Sequence, residues 1–101
     1  MYLINSRLTA EDTTISANDL RRLLTDIADP DDCLEHLYAE TDTSEARLAL
    51  FLCHPDLAAA ESAAAGLCQR ALTSCPELEG WSMQYCGAGL VPGLEEVLLG
   101  C

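Results

Sequence analysis

The chain has no lysine. Its 101 residues carry five basic side chains, all arginine, against seventeen acidic ones, for a formal net charge of −12. A nucleic-acid backbone repels such a surface instead of releasing counterions to it, so DNA and RNA are not expected partners. Aromatic residues are scarce at 5% of the sequence, with one Trp and one Phe. No apolar run reaches the roughly 20 residues that cross a bilayer. The opening Met-Tyr-Leu-Ile-Asn-Ser-Arg lacks the basic start and long apolar stretch of a secretory signal. A cytoplasmic protein without membrane contact is expected.

The six cysteines, at 33, 53, 68, 75, 86 and 101, show no C-x-x-C spacing, and most fall in apolar periodic segments. In a reducing compartment they read as free thiols that act as small core fillers, with the terminal Cys101 exposed. Scattered cysteines and two histidines lack the spacing of a metal-ligand set. No metal and no other cofactor is expected. Gly87-Ala-Gly89 follows a strand but precedes no helix start, which fails the context of a phosphate-binding loop, so it reads as a hinge.

What the sequence does contain is strong periodicity. Tyr2 to Leu8 alternates as a first strand. Ser16, with Asp19 three residues on, starts a helix whose stripe is Leu20, Leu23, Leu24 and Ile27, and Asp29-Pro30-Asp31 ends it. Leu34 to Glu40 reads as an edge strand with neither face uniformly apolar. After the polar linker Thr41–Glu45, the strand Ala46 to Cys53 is apolar on both faces. His54-Pro55-Asp56 opens a second helix, with proline in its first turn, that runs to Cys75-Pro76. Trp81 to Cys86 is a fourth strand, with Trp81, Met83 and Tyr85 on one face. The order is βαββαβ, a ferredoxin-like α+β sandwich with spatial strand order 4-1-3-2 and both helices on one face. Residues 1–90 form this domain. Residues 91–101 form a C-terminal arm, with Leu94, Val97 and Leu98 at helical spacing, which packs on the body or on a partner.

A central strand apolar on both faces needs cover on the side away from the helices, and a second copy of the chain is the simplest cover. A homodimer is expected. The strand parities point Arg47, Phe51 and Cys53 to that open face, and Asn5 and Arg7 beside them. Two of only five positive charges then line one cleft, where guanidinium groups recognise a carboxylate, phosphate or enolate-like group, unless Glu35, Glu40 or Glu45 pairs with them first. His36 and Tyr38 share one face of the second strand as candidate general acid or base. Gln84 completes the substrate-binding set Asn5, Arg7, Phe51 and Gln84. Glu95 and Glu96 ride on the arm, placed to bring a carboxylate over the cleft.

The order and lengths of the elements, and the passage from Leu34 through Leu52, resemble the small dimeric α+β-barrel proteins of bacterial natural-product biosynthesis. These include cofactor-free monooxygenases, aromatic polyketide cyclases and the terminal-amide synthases of thiopeptide maturation. The resemblance is topological and spans residues 2–86. It implies two sheets packed face to face around a mostly apolar pocket, and a basic residue on the third strand acting with a carboxylate near the chain end, here Arg47 with Glu95 or Glu96. Two functions stand side by side on this reading. One is a small cofactor-independent tailoring enzyme acting on an anionic or carbonyl-bearing small molecule or peptide, with His36, Tyr38, Arg47, Glu95 and Glu96 as its catalytic set. The other is a non-catalytic acidic interaction or regulatory protein that docks a larger protein partner.

Overall fold

Both helices begin at a short side chain that accepts a backbone hydrogen bond. Ser16 Oγ accepts from the Asp19 N–H at 3.1 Å, and Asp56 Oδ1 accepts from the Ala59 N–H at 2.8 Å. Each cap satisfies a donor that the first turn leaves without a carbonyl. In the computed structural model, which describes residues 2–88, these caps start α1 (Ala17–Ile27) and α2 (Leu57–Ser74). Pro55 therefore stands before the cap of α2 and not in its first turn, a correction to the sequence reading. Replacing Asp56 by Ala is expected to cost about 1 kcal/mol and to lower the thermal midpoint by about 4–8 °C, read by calorimetry.

Four strands complete the expected order: β1 (Tyr2–Thr9), β2 (Leu34–Asp42), β3 (Glu45–Leu52) and β4 (Ser82–Gly87). They form one antiparallel sheet in the order β2-β3-β1-β4, the 4-1-3-2 arrangement of a ferredoxin-like α+β fold. The linker between β2 and β3 is shorter than the sequence indicates. Thr41 pairs with Ala46 and Asp42 with Glu45, which leaves only Thr43 and Ser44 as the turn. The core lies on one side of the sheet. Ile4, Leu8, Leu48, Leu50 and Leu52 meet Leu20, Leu24 and Leu67, and none of these is more than 1% exposed. On α2 the residues facing this core include Ala60, Ala64 and Ala71; their small side chains let a helix approach the sheet closely.

Two irregularities change which side chains share a face. Between β1 and β4, Leu8 pairs with Met83 and Arg7 with Tyr85, so Gln84 is an extra residue. Such a bulge inverts alternation beyond it. Met83 and Cys86 accordingly both pack on the core, while Tyr85 is 38% exposed on the other face. The expected common face for Met83 and Tyr85 is thereby corrected. A second shift, between Leu34 and His36, puts Leu34 on the core side with Leu37 and Ala39. Gly87, read from sequence as a hinge, is the last residue of β4 and pairs with Asn5. A Cβ there would lie 3.3 Å from Glu61 Oε2 and 3.4 Å from the Tyr85 hydroxyl.

The cysteines depart from the core-filling expectation. Cys68 is buried, and Cys75 and Cys86 are half-buried against the core, but Cys33 and Cys53 are exposed. Both exposed residues fall just outside the paired strands. Cys33 caps the 3-10 turn Pro30–Asp32 with φ 54°, and Cys53 follows the last residue of β3.

Candidate functional site on the open sheet face

The face of the sheet opposite the core is assembled by cross-strand pairing. From β2 it takes His36, Tyr38 and Glu40, which stand opposite Phe51, Ala49 and Arg47 of β3. From β1 it takes Leu3, Asn5 and Arg7, which stand opposite Phe51, Ala49 and Arg47 from the other side. Arg7 also faces Tyr85 of β4. The structure thus brings Asn5, Arg7, His36, Tyr38, Arg47 and Phe51 onto one surface, as the strand parities indicate. The His36 and Phe51 rings meet edge to face, with centroids 6.4 Å apart and an interplanar angle of 85°. Asn5 and Ala49 are buried on this face, Phe51 is half-buried, and Tyr38 is 56% exposed.

The remaining candidates are placed elsewhere. Gln84, on the bulge, donates from Nε2 to Ser82 Oγ at 3.0 Å and lines a cleft of about 540 Å3 at one end of the sheet with Thr9, Thr13 and Glu79. It does not join the arginines. Cys53 lies beyond the end of β3. Glu95, Glu96 and the arm at 91–101 lie outside the described residues, as does Cys101. Two further clefts, of about 520 Å3 and 350 Å3, lie beside Cys33 and Cys53 and at the β2–β3 turn. The last of these is lined by Glu45, at the edge of the open face.

The electrostatics of the face depart most from the anion-binding reading. Arg7 and Arg47 stand directly opposite each other, a like-charge pair that is unfavourable unless compensated. The compensation is complete. Arg7 Nε donates to Glu45 Oε1 at 2.8 Å, Arg47 Nη2 donates to Glu40 Oε1 at 2.8 Å, and Arg47 Nη1 lies 3.1 Å from Glu45 Oε1. The hydrogen bond from Arg7, and then that from Arg47, holds the Glu45 carboxyl below its ordinary range against the opposing effect of partial burial. The hydrogen bond that Arg47 donates to Glu40 raises the Arg47 pKa further. Of the three carboxylates that sequence reasoning offers as partners, Glu40 and Glu45 take the arginines. Arg47 Nε, buried, has no hydrogen-bond partner among the described residues.

Tyr85 is the residue of this face that sequence reasoning missed. Nothing in Ser82-Met-Gln-Tyr-Cys86 marks the extra residue that turns it outward. Among the described residues no group of three or more His, Cys, Asp or Glu side chains could hold a metal ion, and no helix is long and apolar enough to cross a membrane. No family model matches the chain, and neither a curated protein nor a solved structure matches it significantly.

Proposed function

We propose that this is a non-catalytic interaction protein whose working surface is the open sheet face, covered by a second copy of the chain. The observation that carries this reading is the balance of charge on the face: Arg7, Arg47, Glu40 and Glu45 answer one another there, in a chain of formal net charge −12. Two such chains repel through most of their surfaces and approach most readily where the local field is weakest. Around the quartet stand Leu3, Phe51, Tyr38 and Tyr85, the aliphatic and aromatic residues that interface cores favour. A two-fold contact of one face with itself needs no second kind of surface. The resemblance to dimeric α+β barrels leads to the same arrangement.

A second reading draws on the same face. His36 and Tyr38 lie on one edge strand and share its outward face with Glu40, which stands opposite Arg47 on the neighbouring strand. That set is suited to a carbonyl-bearing or anionic small molecule, and turnover of it would make the protein a small cofactor-independent tailoring enzyme of a bacterial biosynthetic pathway, working in the cytoplasm.

Light scattering of the reduced protein across a range of concentrations tests the first reading. The expected mass is twice the chain mass of 10.9 kDa. Tyr38→Asp combined with Tyr85→Asp places four carboxylates at the contact and is expected to weaken dimerisation at least ~100-fold while the far-ultraviolet circular dichroism is unchanged. A wild-type monomer at every concentration, or a dimer indifferent to these substitutions, removes the open face as the self-association surface. A monomer that binds small carbonyl compounds in proportion to Arg47 moves the assignment to the second reading.

A further inference from the structure

We propose that Cys33 and Cys53 form a redox-active dithiol that closes to an intramolecular disulfide at the open end of the β2–β3 pair. The observation is a juxtaposition of two exposed thiol residues at one point of the ladder. One step beyond the Leu34–Leu52 pair, the Cys53 N–H donates to the Cys33 carbonyl at 2.9 Å. A hydrogen-bonded pair in a regular antiparallel ladder has Cα atoms about 5.5 Å apart, inside the window of about 4.4–6.8 Å that a disulfide spans. Both side chains are exposed and both line the cleft of about 520 Å3 that also takes in Pro30 and Leu34. Cys68, by contrast, is buried beneath the sheet beside Ser6, where an oxidant has no direct approach. The proposal does not depend on the dimer.

The chemistry is thiol–disulfide exchange with a small disulfide as oxidant. One cysteine thiolate attacks a sulfur of the disulfide, the S–S bond breaks, and one small thiol leaves, giving a mixed disulfide. The second cysteine then attacks the protein-side sulfur of that bond and releases the other small thiol. Two protein S–H groups are oxidised to one S–S, and one small disulfide is reduced to two thiols. The carboxylates of Asp29 and Glu35 line the same cleft, so a cationic disulfide enters more readily than an anionic one. The probe is therefore cystamine.

Full-length protein treated with cystamine at low salt is expected to yield a peptide joining Cys33 to Cys53, with no cysteamine on either residue, and to melt about 10 °C higher, an increase that dithiothreitol abolishes. Cys33 occupies a left-handed backbone conformation, with φ 54°, that asparagine tolerates, so Cys33→Asn keeps the turn. Cys33→Asn and Cys53→Ser are each expected to stop at a stable cysteamine adduct with no gain in melting temperature. A bond mapped to Cys68, Cys75, Cys86 or Cys101 overturns the proposal. So does a wild-type protein that accumulates separate adducts on Cys33 and Cys53 without closing the ring.

Discussion

Leu50→Ala is expected to lower the unfolding free energy by about 3–5 kcal/mol, a large part of what a domain of this size holds. Leu50 is completely buried in β3, opposite Ile4 on one side and Leu37 on the other. Its side chain fills the centre of the layer between sheet and helices, where neither the sheet backbone nor α2 can collapse into the space. Urea titration followed by circular dichroism reads the loss as a fall in midpoint with the slope unchanged. Phe51→Ala, one residue on and on the opposite face, is the internal comparison. Phe51 is only half-buried, so its truncation in dilute monomer costs clearly less than that of Leu50. Equal losses would mean that the open face is as well covered as the core within a single chain, and the need for a second copy would disappear.

Arg47→Met is expected to cost about 2 kcal/mol near neutral pH, because it leaves Glu40 without its cation and Glu45 with Arg7 alone. The sequence alone reads Arg47 as an anion-recognising and catalytic residue. The structure makes it part of the fold, since its side chain is 13% exposed and its guanidinium joins β2 to β3. The pH dependence follows from the direction of the Glu45 shift. A carboxyl whose pKa is depressed on folding contributes stability that is fully present above its ordinary value of 4.5 and is lost as pH falls through the lower folded value. Wild type therefore loses this contribution on acidification. Arg47→Met keeps the larger part of this contribution, which comes from Arg7, and lacks only the part that Arg47 adds, so the gap between variant and wild type narrows as pH falls below 4.5. Urea midpoints measured above and below that value decide the matter. A gap that stays constant with pH would show that the cost is lost packing of the arginine stem and not the charge arrangement.

The two exposed tyrosines illustrate how unevenly the open face can be read from residue order. Tyr38 falls on it by simple alternation from His36 and Glu40, because a strand repeats every two residues and the apolar Leu37 and Ala39 claim the core side. Tyr85 falls on it only because Gln84 is an extra residue against β1. The arginines show the same division. That Arg7 and Arg47 point away from the helices follows from the apolar residues beside them, Leu8 next to Arg7 and Ala46 and Leu48 on either side of Arg47. That Glu45 bridges them and Glu40 takes the second Arg47 nitrogen depends on which residues of different strands stand side by side, a relation that hydropathy does not encode.

Local chemistry therefore determined the βαββαβ order, the helix start at Ser16, the apolar stripe of α1 and the two-sided apolar pattern of β3, because caps and periodicities act over a few neighbouring residues. Tertiary pairing alone decided the bulge that turns Tyr85 outward, the exposure of Cys33 and Cys53 at one step of the ladder, and the neutralisation of both open-face arginines. Each of these is set by distances between residues far apart in the chain, and those distances exist only once the sheet has closed.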